Sequence, residues 1–128
     1  MRVWHGLDEV SPDFGPSVVT IGNFDGVHRG HRAVIGTAME RAAAANRPSA
    51  VLTFEPHPRI FFRPDAPLFR LTDERAKLRL LAATGLDGAI VLRFDAALSG
   101  LSAHEFITRI LVTRFAVAGV AIGFDFHF

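Results

Sequence analysis

Two histidines near the front of the chain stand at a spacing that suits the binding of an anion. They close the segment Gly22-Asn23-Phe24-Asp25-Gly26-Val27-His28-Arg29-Gly30-His31. If a helix begins here, His28 and His31 lie three residues apart and share one side of it. Gly30 has no side chain to crowd a ligand between them, and the two earlier glycines permit positive φ or close backbone approach. We expect both imidazoles to donate to one phosphate group.

The elements on either side of this segment strengthen that expectation. Val18-Val19-Thr20-Ile21 is a β-branched run typical of a buried strand, and a helix is predicted from about Gly30 to Ala45. The unpaired N–H groups and dipole of a helix N-terminus favour an anion by about 0.3–1 kcal/mol. The segment lacks the Gly-Lys-Ser/Thr ending of a Walker loop and the glycine spacing of dinucleotide-binding folds. The loop therefore belongs to another class of phosphate site.

The residue types indicate which reaction such a site would serve. Histidines in place of lysine suit the stabilisation of charge on a pentacoordinate α-phosphate and on departing pyrophosphate. The segment offers no protein nucleophile, so we expect direct in-line attack by a substrate phosphate.

The rest of the chain alternates strands with helices. Further apolar runs predict strands at 50–54, 88–92 and 119–122, and helices are predicted at 73–84 and 103–115. Thr72 is the expected N-cap of the second helix and Gly85 its stop, while Ser102 and Glu105 form a capping box for the third. The pattern predicts an α/β fold with a Rossmann-like parallel sheet and helices on both faces.

Ligands of such sheets bind beyond the carboxyl ends of the strands. The segment 56–71 contains four prolines, so we expect a long loop at the end of the second predicted strand. The residues 124–128 follow the fourth predicted strand at the same level as the glycine loop. These segments are therefore expected to share one edge of the sheet.

Composition narrows the class of protein. The 128 residues fit one domain, and 14 basic residues against 13 acidic ones leave no broad cationic face for nucleic acid. With no cysteine, disulfides and thiolate metal sites are excluded. The sequence lacks a signal-peptide pattern and any apolar run long enough to span a bilayer. We expect a cytosolic protein with small-molecule partners, neither nucleic acid nor membrane.

At these residues a family resemblance emerges. His28-Arg29-Gly30-His31 resembles the His-x-Gly-His signature of nucleotidylyltransferases, and the wider segment from Gly22 resembles that of bacterial FAD synthetases. Further matching blocks follow in order, and the resemblance spans essentially the whole chain. They are Thr53-Phe54-Glu55-Pro56-His57-Pro58, Leu71-Thr72 with Lys77 and Leu80-Leu81, Leu101-Ser102 with Glu105-Phe106, and Gly123-Phe124-Asp125-Phe126-His127-Phe128.

The family is the bifunctional riboflavin kinase/FAD synthetase, whose N-terminal module transfers AMP from ATP to FMN with Mg²⁺, giving FAD and pyrophosphate. The resemblance implies that His28 and His31 contact the ATP phosphates as catalytic residues, and that Gly22, Phe24 and Gly30 shape the nucleotide pocket. It places Asp125 near the reacting phosphates or the metal. It assigns to the flavin side Phe54, Pro56, His57, Pro58 and Phe62.

Two family features have no counterpart in residues 1–128. The Ser-Ser-Thr motif with its phosphate-binding arginine and the C-terminal riboflavin kinase module are both missing from this sequence. The resemblance thus implies part of an FMN adenylyltransferase domain, truncated at its C-terminal side, with the kinase module expected in the full-length protein.

Several alternatives remain open at this point. The acceptor could be another phosphate compound, or the chain could bind flavin or nucleotide without catalysis. His28 and His31 could simply cap the helix, or form a zinc site with His57 and His127. His57 between two prolines could be a rigid turn residue. Asp25 could orient the loop through backbone hydrogen bonds or touch the substrate. The aromatic residues Phe54, Phe61, Phe62 and Phe69 could be core or flavin platform.

Overall fold

A computed structural model describes residues 1–14, 16–27, 29–55, 73–93, 105 and 117–122, without the side chains of Leu7, Asp25 and 117–122. It contains five strands and two long helices within these residues. In chain order they are β1 (Arg2–His5), β2 (Ser17–Ile21), α1 (Arg29–Ala45), β3 (Ser49–Glu55), α2 (Glu74–Ala82), β4 (Gly88–Arg93) and β5 (Val117–Ile122).

The strands form one sheet in the order β1-β4-β3-β2-β5. Every pairing is parallel, which confirms the predicted sheet. All of β2 is buried, as is β3 up to its last residue. Because successive residues of a strand point to opposite faces, both faces of the central strands are covered. This explains why they read as continuous apolar runs.

One strand was missed by the sequence analysis. The segment Arg2–His5 forms β1, an edge strand paired with β4, and only Trp4 within it is buried. Four residues with a charged or polar group at each end carry little strand signal. The Trp4 ring packs edge-on against Phe14, with ring centroids 4.8 Å apart. Tertiary packing therefore makes this strand.

Helices α1 and α2 lie on the same face of the sheet. Ala38 and Ala42 of α1 pack on Val18, while Ile35 joins Leu81 of α2 in a second cluster with Val51. Asn46, in the left-handed conformation with φ 56°, follows the last residue of α1. The helix predicted at 103–115 lies outside the described residues except for Glu105, which is helical.

The cap predicted for α2 was wrong by one residue. The carboxylate of Asp73, not Thr72, accepts a hydrogen bond from the Ala76 amide at 2.8 Å and caps the helix. Aspartate is at least as good an N-cap as threonine, so the choice depends on where the chain turns into the helix. The predicted stop is confirmed, since the helix ends before Gly85 with its φ of 100°.

Candidate active site

The order of the strands creates a crevice at the carboxyl end of β2. The chain moves from β2 to β3 in one direction across the sheet, whereas β5 lies on the other side of β2. Ligands of open parallel sheets bind where the strand order reverses in this way. Ile21, the last residue of β2, pairs with Ile122 of β5. The loop after β2 thus emerges at the reversal point, as does the chain after β5.

That loop has an unusual backbone. Phe24 and Val27 both have positive φ, at 55° and 44°, and Gly26 between them has φ 77°. A left-handed conformation costs a residue other than glycine about 1–2 kcal/mol, and a β-branched residue such as valine adopts it rarely. Phe24 and Val27 are each only 2% exposed. Full burial of such side chains contributes about 1.5–3 kcal/mol, which offsets the strain.

The two predicted roles of the loop glycines are both present. Gly26 supplies a positive φ inside the short turn Asp25–Val27. Gly22 permits a close approach, because a Cβ on it would lie 3.0 Å from the Phe24 ring. The Gly22 amide still donates to Leu52 in β3 at 3.1 Å, so the loop leaves the sheet only after this residue.

His31 lies at the start of α1, as predicted. It is the third residue of the helix, half-buried, and its ring meets the Phe24 ring edge-on with centroids 5.2 Å apart. Gly30 precedes it at an exposed position. His28, its expected catalytic companion, lies outside the described residues. The structure therefore connects His31 to Phe24, and the pairing of the two histidines stays a prediction.

The first turn of α1 is positively charged. It contains Arg29, His31 and Arg32 and no acidic residue. Cationic side chains at the positive end of a helix dipole are unfavourable in the absence of an anion. The Arg32 Nε donates to the Val27 carbonyl at 3.2 Å, so this side chain also holds the loop. Such a charge arrangement favours a bound phosphate.

A network of buried polar groups lies beneath the loop. The Lys77 side chain, 1% exposed, donates from Nζ to the Asn23 carbonyl and to Thr53 Oγ1, both at 3.0 Å. Thr53 Oγ1 in turn donates to the same Asn23 carbonyl at 3.1 Å. Glu55 Oε1 lies 2.9 Å from Lys77 Nζ. Loop, β3 and α2 are joined here.

This network was not predicted from residue chemistry, and Lys77 was singled out only as part of a family block. A signal was nevertheless present, since Lys77 lies one turn before Leu81, and side chains four residues apart share a helix face. Leu81 is fully buried, so Lys77 occupies a core position.

The residues assigned to the flavin side are mostly outside the described part of the chain. Phe54 is described, and it is 1% exposed, within β3. Since Thr53 and Glu55 contact α2, the alternation along the strand places Phe54 on the other face of the sheet. Pro56, His57, Pro58, Phe62 and Asp125 lie outside the described residues.

A cleft of about 420 Å³ opens at this same edge of the sheet. The end of β3 borders it, and the chain continues from there into the segment 56–72. The residues that line the cleft are His5, Gly6, Glu55, Glu74, Val91 and Arg93. His5 is exposed, and its Nε2 lies 2.9 Å from Glu74 Oε1. The cleft thus opens at the ends of β1, β3 and β4.

No group of three or more His, Cys, Asp or Glu residues that could hold a metal occurs among the described residues. Three of the four histidines of the zinc alternative, His28, His57 and His127, lie outside those residues. Within the same part of the chain, every helix is too short or too polar to cross a bilayer.

Relatives of known function cover the whole chain. Proteins named bifunctional riboflavin kinase/FMN adenylyltransferase from Pseudomonas fluorescens and Escherichia coli are each 43% identical to it over 128 and 130 residues. One of the same name from Haemophilus influenzae is 37% identical. The alignments include 100% of this chain but only 41–42% of each relative. The chain thus spans less than half the length of these relatives.

Structural and family comparisons agree on the fold. A crystal structure described as a macrolide-efflux protein from Streptococcus pneumoniae superimposes with a TM-score of 0.83 at 26% identity, covering 100% of this chain and 50% of that one. Residues 11–128 match the family described as FAD synthetase. Together with the phosphate-type loop at the strand reversal, this match shows that the chain belongs to the FAD synthetase family.

Proposed function

We propose that this chain carries an FMN adenylyltransferase activity, which transfers AMP from ATP to FMN and releases FAD and pyrophosphate. The observation that carries the proposal is the loop after β2, which ends in a cationic helix start at the strand reversal. Relatives that are 43% identical carry this activity in their name. The same names support a riboflavin kinase module in the full-length protein.

In the proposed reaction, a phosphate oxygen of FMN attacks the α-phosphorus of ATP. A new bond forms between that oxygen and the α-phosphorus, and the bond from the α-phosphorus to the bridging oxygen of the β-phosphate breaks. Pyrophosphate departs with the electron pair of the broken bond. No covalent enzyme intermediate is required, so catalysis depends on positioning and electrostatic stabilisation.

The residues of the site would have different roles in this reaction. The N–H groups at the start of α1 and the His31 imidazole would face the negative charge that grows on the leaving phosphates. Gly22 and Phe24 would shape the nucleotide side of the crevice. The cleft beside Glu55 and Arg93 would receive part of the acceptor, next to the segment that contains Pro56, His57, Pro58 and Phe62. His28 and Asp125 would complete the phosphate side.

Magnesium belongs to the proposal as an ion that accompanies the ATP phosphates. Mg²⁺ keeps several water ligands and is bound in such sites through one or two carboxylates and substrate phosphates. The described residues offer no cluster of ligands for a resident ion. The ion would neutralise phosphate charge, with Asp125 as the expected carboxylate. A cytoplasmic location, expected from the cysteine-free sequence, is part of the same proposal.

The test is FAD formation by the full-length protein from FMN, ATP and Mg²⁺, with the flavins separated by chromatography and pyrophosphate measured in parallel. Two other acceptors, pantetheine phosphate and glycerol phosphate, are assayed beside FMN. We expect FAD and one pyrophosphate per FAD. If pyrophosphate is released with another acceptor and not with FMN, that acceptor takes the place of FMN in the proposal. If FMN binds without turnover, the proposed catalysis is contradicted.

The role of His31 is tested in the same assay. Loss of one preorganised transition-state donor typically lowers kcat by about 10²–10³-fold, and we expect a loss of that order for His31→Ala. Thr37→Ala is the matched control, because Thr37 is exposed on the same helix and its hydroxyl donates to the Ala33 carbonyl at 3.1 Å. Equal activity of the two variants would remove His31 from the mechanism.

A further inference from the structure

Lys77 is an exceptional residue in this chain. Of the 14 lysine and arginine residues, it is the only lysine. It is also 1% exposed, whereas lysine is almost never fully buried unless it is paired. A buried ammonium loses its hydration, so its surroundings must replace the lost hydrogen bonds. The contacts of Lys77 show which groups its ammonium holds in place.

The contacts converge on one carbonyl of the loop. The Asn23 carbonyl accepts from Lys77 Nζ at 3.0 Å and from Thr53 Oγ1 at 3.1 Å. A carbonyl oxygen has two lone pairs, so these two donors use its full capacity. They come from different elements, α2 and β3. The orientation of this carbonyl is therefore fixed from two directions.

That carbonyl is part of the peptide that precedes Phe24. A peptide group is planar, so fixing the Asn23 carbonyl also fixes the amide of Phe24. Phe24 is held in the left-handed conformation, with its ring over Gly22 and edge-on to the His31 ring at 5.2 Å. A chain of contacts thus runs from Lys77 through Asn23 and Phe24 to His31.

Lys77 cannot serve this loop in the manner of a Walker lysine. An ammonium group has three N–H bonds, and acceptors in the described structure already match them: Asn23 O, Thr53 Oγ1 and Glu55 Oε1, at 2.9–3.0 Å. None is left for a phosphate oxygen. Arginine would not replace it, since its planar guanidinium needs a wider space and a different geometry of acceptors.

We propose that Lys77 is a positioning residue for the nucleotide site. Through the carbonyl of Asn23 it holds Phe24 in its strained conformation and thereby sets the place of the His31 ring. Its contacts with Thr53 and Glu55 also link the nucleotide loop to the end of β3, where the proposed acceptor side begins. The inference rests on the proposed function for its catalytic consequence, but the tether itself is a property of the fold.

The test compares two variants of the full-length protein with a control in β4. Lys77→Met removes the ammonium and keeps a chain of similar length. Thr53→Val is nearly isosteric and removes only the hydroxyl, so it remains informative if Lys77→Met folds poorly. Ile90→Ala is the control, because Ile90 is fully buried in β4 on the face away from α2. Ile90→Val is a milder control, and it is used instead if its melting temperature is closer to that of Lys77→Met.

Two readouts separate positioning from general stability. We expect the amides of residues 23–27 to exchange hydrogen at least tenfold faster in Lys77→Met than in an Ile90 control whose melting temperature is lowered by the same amount. In Thr53→Val we expect a smaller increase. We also expect kcat/KM for ATP to fall at least tenfold in Lys77→Met, while the Ile90 control keeps that of the wild type.

The inference is overturned if residues 23–27 stay protected in both Lys77→Met and Thr53→Val. It is equally overturned if the Ile90 control, at matched stability, shows the same faster exchange and the same kinetic loss. Failure of the proposed function would look different, since the wild-type protein would then make no FAD. The hydrogen-exchange comparison would still decide whether Lys77 holds the loop.

Discussion

Two regions of this protein pack an aromatic ring on a glycine, and the packing has a different consequence in each. In the loop after β2, a Cβ on Gly22 would lie 3.0 Å from the Phe24 ring. At the sheet edge, a Cβ on Gly88 would lie 2.8 Å from the Trp4 ring and 2.9 Å from that of Phe14. The local contact is alike in both places.

The backbone and the polar neighbours differ. Trp4 belongs to the ordinary edge strand β1, and the charges near it are exposed, with Arg2 and Asp13 side chains 47% and 72% accessible. Phe24 has a positive φ, and the polar group behind it is Lys77, which is 1% exposed. The charged groups beside Trp4 lie in solvent, whereas the charged group behind Phe24 is enclosed.

This difference shows how one packing device can serve stability or function. At the edge, aromatic packing attaches a strand that has little strand propensity of its own. In the loop, packing and a buried network together hold a strained conformation, and strain of this kind concentrates at functional sites. Changes at the two glycines should therefore be distinguishable by experiment.

Among the changes that test this comparison, the largest effect is expected for Gly22→Ala. The new methyl group would press on the Phe24 ring, which is 2% exposed and has no room to retreat. The ring would move against His31, so we expect kcat/KM for ATP to fall at least tenfold, with a stability loss of about 1–3 kcal/mol from overpacking. FAD formation and urea unfolding measure the two. Unchanged kinetics would show that the position of the ring does not matter.

Gly88→Ala should separate stability from activity. Its methyl group would meet both Trp4 and Phe14, and overpacking of this kind costs about 1–3 kcal/mol. Because Gly88 begins β4, at the opposite end of that strand from the cleft beside Arg93, we expect kcat/KM of the folded protein to stay at the wild-type value. A kinetic loss as large as that of Gly22→Ala would erase the distinction between the two regions.

Gly36→Ala provides the control without any clash. A Cβ at Gly36 would have no neighbour within 4 Å, and the residue lies within α1. Replacing a mid-helix glycine by alanine stabilises by about 0.5–1 kcal/mol. We expect a higher urea midpoint and unaltered FAD formation. A destabilised variant would contradict the open space beside Gly36.

The smallest effect is expected at Asp13. Hydrogen bonds from the Ser11 hydroxyl and then from the Arg2 guanidinium hold the pKa of this carboxyl below its ordinary value of 3.8. A carboxyl with a lowered pKa stabilises the fold above its unfolded pKa, and this contribution disappears as the pH falls through the folded pKa. Urea midpoints of wild type and Asp13→Asn should therefore begin to converge as the pH falls through 3.8 and meet below the folded pKa.

Salt should separate the exposed ion pair from the buried one. At about 1 M salt the Debye length falls to about 3 Å, which screens exposed charges and affects buried pairs much less. The effect of Asp13→Asn should shrink in such salt as its attraction to Arg2 is screened, whereas that of Lys77→Met should persist. Equal screening of both would contradict the burial of Lys77.

The sequence predicted the strands best where burial is continuous. Runs at 18–21, 50–54, 88–92 and 119–122 correspond to β2, β3, β4 and β5, with ends within two residues. Apolar β-branched runs are reliable because a strand covered on both faces has no positions that face solvent. The edge strand β1 and the Asp73 cap were missed, since both depend on which neighbour the chain meets.

For the candidate site, local chemistry was again the most predictable part. The glycines, the helix start and the place of His31 follow from residue types at short range. The positive φ of Phe24 and the burial of Lys77 do not, because both depend on contacts between residues far apart in the chain.

The sequence by itself thus determined the parallel α/β fold, the strand-loop-helix unit and the family. These depend on side-chain periodicity, glycine positions and ordered motifs, all of which are local. Only the tertiary structure decided the strand order, and with it the reversal beside β2. Only the tertiary structure, too, brought Lys77 under Asn23, because a buried charge is tolerated solely where distant elements supply its hydrogen-bond partners.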